Sequence, residues 1–469
     1  MLKGLEISVL NLSEVRNSIE DFRIHSEFFK KEFLNNEIKL KSFNSKPLST
    51  YSKISDGDHS KFPDNQKREV RYLQARDINN NFLEITSDVF VSKTYLEKNK
   101  RSLLKGEDIL LSIMGTVGDI TILPKGFKPA MCNRALAIIK NIKGISPQFL
   151  FSYLTTKFAF IEIERLKNGG VQQRLNLDVL NKLRIPNLGV EFQKMIEITV
   201  LKAQETRLLS KQSYTKAETL LLEEIGLQDF TPSKEPVNIK SFKDSFGTSG
   251  RLDAEYYQKK YEDIENKIHK TKNGFTTISN EFEQITLKSK KDKIGYNYIE
   301  ISDVNVSTGS CNSNFIKTNE LPANAKTLVK KGDILISKVR PYRGAVTLIN
   351  FEKEDLIVSG AFTVLREKEK SIFSNEVLKV LLRTKEYKEL LLKFNVGTSY
   401  PVIKDIDVLN LPIPKISKDT QEEITSKIQH SSKLKKQSEH LLEVAKKAVE
   451  IAIEEDEEVA LKFINSQTS

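Results

Sequence analysis

Two polar segments of the chain carry side chains that could hydrogen-bond to the edges of nucleic-acid bases. Each segment contains glycine, which permits close backbone approach, together with amide, hydroxyl or guanidinium groups. Asn and Gln can form two hydrogen bonds to adenine, and Arg can form two to guanine, in the major groove of DNA. The predicted base-contacting residues are Asn168, Gln172, Gln173 and Arg174 in the first segment and Asn395, Thr398, Ser399 and Tyr400 in the second. For each segment the alternative is a solvated turn between a helix and a strand.

Basic residues cluster near the predicted strands of both halves. Such cations would neutralise phosphates and fix the position of a duplex without specifying its sequence. We predict nucleic-acid contacts for Lys125, Lys128, Arg134, Lys338, Arg340, Tyr342, Arg343 and Lys404. Further lysines of the second half are Lys288, Lys290, Lys291, Lys293, Lys326, Lys330 and Lys331. Any one of these clusters taken singly is also compatible with an ordinary solvated face.

Composition agrees with a polyanionic partner. The 469 residues include 74 basic and 63 acidic side chains, a net charge of +11, and an isoelectric point near 9.2 favours binding to nucleic acid. Hydrophobic residues make up 39% of the chain, which is typical of globular proteins, and the length allows two or more domains. No window has the roughly 18 apolar residues that a membrane span needs, so we expect a cytoplasmic protein.

Residue patterns for catalysis and cofactor binding are missing. The five histidines are isolated from one another, and neither a Walker A loop nor a G-x-G-x-x-G motif occurs. Pro63-Asp64 resembles the start of a nuclease motif but is followed by Asn65, Gln66 and Lys67, so we interpret it as a loop. Cys132 and Cys311 have no ligand spacing and suggest a reducing compartment. We therefore predict no catalytic residue, no metal site and no cofactor bound by this chain.

The polar segments lie at matching places in an internal repeat. Asp108-Ile109-Leu110-Leu111-Ser112 corresponds to Asp333-Ile334-Leu335-Ile336-Ser337, and Leu183-Arg184-Ile185-Pro186 corresponds to Leu411-Pro412-Ile413-Pro414. Such matches keep an offset between 225 and 228 through each half, which indicates one duplicated domain. Each copy predicts an aromatic-rich helix, short buried strands, a second helix and a polar loop. The predicted boundaries are a domain at 1–188, a long helix at 189–228, a linker at 229–240, a second domain at 241–416 and a second long helix with an acidic tail at 417–469.

The two long helices carry matching residues at heptad positions. Small residues such as Ala203 and Ser210 would let the helices pack closely, whereas Arg207 and Lys435 place charges at core positions. About 35 residues span on the order of 50 Å, more than one turn of duplex DNA at roughly 34 Å. We predict that a partner protein packs on this pair at Gln193, Ile196, Val200, Arg207, Tyr214, Leu221, Gln421, Ile424, Ile428, Lys435, Leu442 and Val449. The alternative is an intramolecular coiled coil without a partner. We interpret the acidic run 454–458 as a solvated and fraying terminus.

In both halves the chain resembles the specificity subunit of type I restriction-modification systems. The resemblance is carried by the R-[IL]-x-x-E-[FY]-[FY] openings at Arg23 and Arg251, the G-x-D-I-L-[LI]-S strand at Gly106–Ser112 with its counterpart Gly332–Ser337, the Gly115-Thr116-Val117-Gly118 turn, the Leu-x-Ile-Pro ends, and the glutamines Gln193 and Gln421. The halves differ at two points. Arg340-Pro341-Tyr342-Arg343-Gly344 stands in place of the Gly115–Gly118 turn, and Gly106-Glu107-Asp108 is interpreted as one residue longer than Gly332-Asp333.

This resemblance implies an α+β fold with two tandem target recognition domains. Each would consist of small mixed sheets with helices, and the two long helices would pair as an antiparallel coiled coil with pseudo-two-fold symmetry. Each domain would bind one half of an asymmetric bipartite site in double-stranded DNA. The subunit itself would be non-catalytic, with two methyltransferase subunits carrying S-adenosylmethionine and with translocase and nuclease subunits using ATP and Mg²⁺.

Three other functions stay open at this point. The chain could serve a modification-only or other phage-defence assembly, it could be a nuclease or methyltransferase acting alone, or it could be a scaffold whose polar loops bind protein.

Overall fold

The structure, a computed structural model, describes residues 7–18, 26–60, 67–115, 117–167, 175–397 and 400–468. The predicted contact residues Asn168, Gln172, Gln173, Arg174, Thr398 and Ser399 lie outside these ranges, as do Arg23, Pro63, Asp64 and Thr116. The chain divides into two compact units. Unit 1 contains Met1–Leu208 with Leu434–Ser469, and unit 2 contains Leu209–Lys433.

The first half of the chain begins with short helices and strands and ends in one long helix. Its helices are α1 (Leu12–Ser18), α2 (Lys31–Ser42), α3 (Lys93–Lys98), α4 (Pro147–Leu154), α5 (Lys157–Leu166), α6 (Leu177–Leu180) and the long α7 (Val190–Glu224). Its strands are β1 (Lys46–Pro47), β2 (Lys53–Asp56), β3 (Val70–Leu73), β4 (Ile78–Asn79), β5 (Phe82–Leu83), β6 (Phe90–Val91), β7 (Leu103–Leu104), β8 (Ile109–Ser112), β9 (Ile120–Ile122), β10 (Ala130–Cys132), β11 (Leu136–Lys140) and β12 (Arg184–Ile185).

The second half repeats this plan and adds a final helix. Its helices are α8 (Phe246–Ser249), α9 (Lys259–His269), α10 (Ile278–Glu281), α11 (Asn375–Arg383), α12 (Lys385–Leu392), α13 (Asp405–Leu409), the long α14 (Lys418–Glu454) and α15 (Glu457–Thr468). Its strands are β13 (Phe275–Thr277), β14 (Phe282–Gln284), β15 (Gly295–Ile299), β16 (Val304–Asn305), β17 (Ser310–Cys311), β18 (Asn314–Lys317), β19 (Ala325–Leu328), β20 (Ile334–Ser337), β21 (Val346–Leu348), β22 (Leu356–Ser359), β23 (Phe362–Glu367) and β24 (Pro412–Pro414).

Sheet order is the same in the two units. Unit 1 has a four-stranded sheet β2-β11-β8-β9, a second sheet β6-β3-β10-β7, and the pairs β1-β12 and β4-β5. Unit 2 has β14-β23-β20-β21, β18-β15-β22-β19, β13-β24 and β16-β17. In each second sheet one central pair is parallel, β3 with β10 and β15 with β22, whereas the neighbouring pairs are antiparallel. Small mixed sheets with helices, present twice, confirm the predicted α+β class.

The continuous apolar run of β8 follows from burial on both faces. Ile109 and Leu111 pack into the core shared with the helices of unit 1, whereas Leu110 faces a separate cluster beneath the second sheet. In unit 2, Ile334 and Leu335 divide between two cores in the same way. Successive side chains of a strand point to opposite faces, so a strand between two apolar layers needs no polar alternation.

Within each unit the two long helices run antiparallel. In unit 2, the Ser210 and Ser431 hydroxyls each donate to the other residue's carbonyl oxygen, at 2.7 and 2.8 Å, and Ser213 donates to the carbonyl of Lys427. These exchanges need close backbones, which explains the small residues predicted at the seam. In unit 1, Ile196, Val200 and Ala203 share a core with the α14 residues Leu442, Ala445 and Val449.

The acidic run is mostly exposed, as expected, but the helix α15 begins within it, so the prediction of a fraying terminus is wrong. Asp456 caps α15 by accepting a hydrogen bond from the backbone N–H of Val459 at 2.8 Å. Ala460 and Ile464, four residues apart on one helix face, are fully buried in the core of unit 1. The acidic residues were misinterpreted because they begin an amphipathic helix, where carboxylates are favourable.

Candidate nucleic-acid interface

Two loops that are distant in sequence meet in unit 2. The first comprises residues 338–344, after β20, and the second comprises the described residues 395–397 and 400–404, before α13; we call them the paired loops. The Arg340 N–H donates to the Pro401 carbonyl at 2.8 Å, and the Ile403 N–H donates to the Lys338 carbonyl at 3.0 Å. The structure thus places Arg340 of the first loop against the part of the second loop that contains Tyr400 and Lys404.

Cationic and aromatic side chains alternate on this surface. The Arg340 guanidinium lies over the Tyr400 ring, with 4.3 Å from its central carbon to the ring centroid. Tyr400 is 64% exposed and Tyr342 is 40% exposed, and Arg343 is exposed beside Tyr342. Stacking on Tyr400 restricts the guanidinium, so its N–H groups face a ligand with less loss of side-chain entropy. Such a surface suits contacts to phosphates and base edges.

The remaining predicted residues of unit 2 differ in availability. Lys404 is exposed at the start of α13. Lys338 forms an ion pair with Asp405 at 3.1 Å, and Asp405 also accepts a hydrogen bond from the Thr363 hydroxyl at 2.6 Å. Since this carboxylate neutralises its charge, Lys338 holds the loop to α13. Asn395 is half-buried, and its carbonyl oxygen accepts a hydrogen bond from Arg251 at 3.2 Å.

Two arginines that were not predicted as contacts from the sequence donate hydrogen bonds to backbone carbonyls of the paired loops. Arg251 is held by Asp253, with 2.8 Å between Nε and Oδ1, and it donates to the carbonyls that open the second loop. This bond to Asp253 raises the pKa of Arg251 and lowers the pKa of the carboxyl. Arg383, which is 8% exposed, donates to the carbonyl of Gly344 at 3.4 Å and to the Tyr214 hydroxyl at 3.0 Å. Arg251 belongs to a repeated motif, but nothing in the sequence distinguishes Arg383.

The turn in the first loop depends on left-handed backbone. Arg340 has φ of +49° and Gly344 has φ of +73°, a region that costs energy for a residue with a side chain. In unit 1 the glycines Gly115 and Gly118 follow the equivalent strand β8, with φ of +82° and +110°. The Leu175 N–H donates to the Ile113 carbonyl at 3.1 Å, which matches the bond from Ile403 to Lys338.

The hydrogen bonds before β8 and β20 show that one of the differences expected between the halves is wrong. Asp108 Oδ2 accepts the Lys105 N–H and Asp333 Oδ2 accepts the Lys330 N–H, both at 2.8 Å. The left-handed residue in between is Glu107 in one half and Gly332 in the other, so Gly106-Glu107-Asp108 contains no additional residue. The one-residue difference lies instead in the turn, which has four residues at 115–118 and five at 340–344.

The three predicted cations of unit 1 do not form one cluster. Lys125 and Lys128 are exposed in the turn before β10, whereas Arg134 is exposed in the turn after it. Arg134 lies near the end of β8, because the Ile113 N–H donates to the carbonyl of the next residue, Ala135, at 2.9 Å. Sequence proximity therefore grouped residues that stand at opposite ends of a strand.

Most of the helix residues predicted to bind a partner are used inside their own units. Ile196, Val200, Leu221, Ile424, Ile428, Leu442 and Val449 are all buried. Arg207 is 5% exposed; it forms an ion pair with the buried Glu84 and another with Glu439 at 3.2 Å, and it covers the Phe82 ring. Burial lowers the pKa of Arg207. Lys435 is half-buried in unit 1, and Tyr214 is half-buried in unit 2, where its hydroxyl accepts from Arg383.

The two leading glutamines fasten each long helix to its domain. Gln193 accepts the Ser146 N–H at 3.1 Å and donates to the Leu188 carbonyl at 2.9 Å. Gln421 accepts the Ser374 N–H at 2.8 Å and donates to the carbonyls of Ile372 and Ile416. An amide can donate and accept at once, which explains why this residue type occurs in both copies.

Within the described ranges, no group of three or more His, Cys, Asp and Glu side chains is arranged to hold a metal ion. Cys132 and Cys311 are buried free thiols, and burial raises the pKa of each. The helices of the same ranges include none that is both long enough and apolar enough to cross a bilayer.

Comparison with known proteins gives matches to type I restriction-modification specificity proteins, among others. The family model for the type I restriction modification DNA specificity domain matches residues 52–198. The Type I restriction enzyme HindI specificity subunit of Haemophilus influenzae is 35% identical over 109 residues, which cover 22% of this chain and 23% of that protein. The match thus spans less than a quarter of this curated relative.

Solved structures of similar proteins include two specificity subunits. The type I restriction-modification S subunit from M. genitalium has 12% identity and a TM-score of 0.40, over 90% of this chain and 95% of that one. The HsdS subunit from Thermoanaerobacter tengcongensis has 13% identity and a TM-score of 0.26, over 86% and 95%. With TM-scores below 0.5, these two likenesses say nothing about what the chain does.

The family match confirms the resemblance indicated by the repeated motifs, and its description concerns recognition of DNA sequence. Over residues 52–198 the chain therefore carries the DNA specificity domain of type I restriction modification proteins.

Proposed function

We propose that this chain is a non-catalytic subunit that recognises an asymmetric, bipartite site in double-stranded DNA, with one half-site bound by each unit. The observation that carries the proposal is the surface of the paired loops. There the exposed Tyr400 stacks on the Arg340 guanidinium and orients it, and the exposed Tyr342 and Arg343 follow in the same turn. Bidentate contacts from Arg to guanine give direct sequence readout.

The comparison of the two units supports separate half-sites. Both units keep the same sheet order and the same main-chain bond behind the turn, Leu175 to Ile113 in one and Ile403 to Lys338 in the other. The turns themselves differ, Gly-Thr-Val-Gly at 115–118 against Arg-Pro-Tyr-Arg-Gly at 340–344. Identical frameworks with different contact residues are expected when one fold reads two different base sequences.

We further propose that the chain works in the cytoplasm with two methyltransferase subunits and, through them, with restriction and translocase subunits. S-adenosylmethionine, ATP and Mg²⁺ would then be bound by those partners. This proposal is supported by the name of the matched relative, a type I restriction enzyme specificity subunit. Since the predicted apolar helix residues are buried, the partner would use exposed positions of α7 such as Ile198 and Leu208, which are 51% and 55% exposed.

A modification-only or other phage-defence assembly is the second candidate, because it would use the same subunit. Chromosomal neighbours distinguish the two: a methyltransferase gene with an ATPase-nuclease gene supports restriction, and a methyltransferase gene alone supports modification.

Selection of bound DNA tests the central proposal. The chain would be purified with its methyltransferase subunits and used to select duplexes from a random library. We expect two short conserved blocks separated by a non-specific spacer of fixed length. Tyr400→Ala and Arg340→Ala should each relax base preference in one block only, by ~1 to 3 kcal/mol per lost contact.

Lys272→Gln is the matched control, because Lys272 is an exposed cation in the turn between α9 and β13. It should leave both blocks unchanged. One continuous block, no base preference, or an effect of Tyr400→Ala on both blocks would contradict the proposal.

A further inference from the structure

In each unit the chain crosses from the second sheet to the first near the segment that follows β8 or β20. In unit 1 the crossing is the turn 133–135, between β10 and β11, and its Ala135 carbonyl accepts the Ile113 N–H at 2.9 Å. In unit 2 it is the turn 360–361, between β22 and β23, and its Ala361 carbonyl accepts the Lys338 N–H at 2.8 Å. The two crossings are therefore equivalent. The crossing of unit 2 adjoins the first of the paired loops, and the crossing of unit 1 adjoins the residue that follows β8.

In unit 1 this crossing carries an exposed cation of its own. The Arg134 backbone is fixed by a bond from its N–H to the Asp58 carbonyl at 2.9 Å. The Arg134 side chain is exposed and forms no ion pair with any residue in the described ranges. Its charge is therefore available to a ligand.

In unit 2 the equivalent residue is Gly360, whose N–H donates to the Asn324 carbonyl at 2.7 Å. A cation nevertheless reaches this place from the neighbouring strand. The Cδ atom of Lys326 lies 3.5 Å from the point where a Cβ of Gly360 would be. Lys326 is exposed, and the pairing of β19 with β22 shifts register between Ala325 and Thr327. Such a bulge turns a side chain out of the strand pattern.

Other lysines continue the positive charge along unit 2. The Ser289 N–H donates to the Lys326 carbonyl at 3.0 Å, which holds the segment 287–290 against β19. Lys288 and Lys290 are exposed on this segment, and neither is paired with a carboxylate of the described residues. The positive charge of Lys288, Lys290 and Lys326 thus extends to the crossing, next to the paired loops.

We propose that Arg134 in unit 1 and Lys326 in unit 2 are equivalent phosphate-contacting cations that seat the DNA backbone beside the bases each unit reads. This inference rests on the proposed function. The role we assign to both residues is independent of sequence, because Lys326 has an ammonium without a bidentate donor pattern and Arg134 holds the equivalent place in unit 1. In unit 1 the cation is Arg134 of the crossing itself. In unit 2 it is Lys326 of the neighbouring strand β19, which lies next to Gly360 of the crossing.

The dependence of binding on salt tests this inference. In complexes with the methyltransferase subunits, the dissociation constant would be measured between about 50 and 200 mM salt for a duplex with the selected site and for a scrambled duplex. We expect Arg134→Gln and Lys326→Gln each to reduce the slope of log K against log salt by ~0.9, and the double variant by ~1.8. Each variant should weaken binding to both duplexes by the same factor and leave the selected bases unchanged.

Two controls separate this role from a general loss of charge or fold. Lys272→Gln should keep the wild-type slope, and Lys326→Arg should restore the slope that Lys326→Gln loses. Unchanged slopes in both glutamine variants would overturn the inference while leaving the proposed function intact, and would favour a contact to protein. A changed base preference would also overturn it, since these residues would then read sequence. Failure of the wild-type complex to prefer the selected site would instead refute the proposed function on which the inference depends.

Discussion

Glu162 of α5 is a carboxyl group held in a poorly solvated place in unit 1. Its side chain accepts the Arg184 N–H at 3.1 Å, and the Tyr153 hydroxyl bonds to the carbonyl of the same residue at 2.7 Å. Burial raises the pKa of Glu162 to about 8, and the bond from Arg184 opposes that shift only in part. The unfolded chain would release this proton near pH 4.3.

The stability of unit 1 should therefore fall as pH rises through the folded-state pKa of Glu162. Between its unfolded and folded pKa values the folded chain holds a proton that the unfolded chain has lost, so deprotonation favours unfolding. We expect wild type to lose on the order of 2 kcal/mol between pH 6 and pH 9 relative to Glu162→Gln. Urea denaturation followed by circular dichroism measures the difference, since the chain has no Trp. Glu191→Gln, at an exposed residue of α7, should behave as wild type, and parallel pH profiles for all three proteins would rule the idea out.

The outcomes for single residues show which part of the site could be predicted from the sequence. Arg340 and Tyr400 were both expected at a nucleic-acid surface, and the structure places them together because local turn residues bring their loops to one edge. Lys338 was expected there too, but its charge is matched by Asp405, 67 positions away. The support from Arg383 to the Tyr214 hydroxyl spans 169 positions. Contacts between residues so far apart in the sequence form only in the complete fold, so no periodic pattern in the sequence predicts them.

At the scale of elements, the repeat allowed the strands to be predicted, whereas the last helix needed the structure. Apolar runs such as Ile109–Ser112 are set by local burial and recur in both halves. The C-terminal helix has no counterpart after α7, so the repeat offered no guide to it. Its acidic start binds the beginning of α7 instead: Glu457 Oε1 accepts the Gly189 N–H at 2.9 Å. A carboxylate here also offsets the positive end of the helix dipole.

Removing this contact should loosen the first turn of α7. Glu457→Ala is expected to cost ~1 kcal/mol, the usual value of an N-terminal cap. Gly189→Ala should have a similar effect, because the new Cβ would lie 2.6 Å from Glu457 Oε2. Hydrogen exchange of the Gly189 and Gln193 amides measures the loss, because the first donates to Glu457 and the second donates to the Gly189 carbonyl. Glu458→Ala is the control, since Glu458 is exposed and pairs with Lys462 of its own helix. Equal exchange in Glu457→Ala and Glu458→Ala would show that the cap has no energetic role.

At the scale of the whole molecule, the two long helices are the elements that belong to both units. Contacts divide α7 at Leu208 and α14 at Lys433, so each helix supplies one part of its length to each unit. Their seam is set in register by the reciprocal bonds between Ser210 and Ser431. We propose that the shared helices fix the number of base pairs between the two half-sites.

Lengthening both helices by the same amount should then lengthen the spacer in the recognised DNA. Seven residues, two helical turns that preserve the heptad register, would be inserted after Gln212 in α7 and after Gln429 in α14. These points lie at one level of the antiparallel pair, because Ser213 bonds to the Lys427 carbonyl. The added rise is roughly 10 Å, on the order of three base pairs. Selection from a library of variable spacers should return the same two blocks farther apart.

Insertion of the same seven residues after Lys234 provides the control, since this position lies outside both helices, between α7 and α8. That variant should select the original spacer, because chain length alone would have changed. An unaltered spacer in the variant with both helices lengthened would refute the proposal that the helices fix the spacer length, even if both blocks were still selected. A longer spacer in the Lys234 variant would refute it as well, because the distance between half-sites would then follow the connecting chain and not the helices.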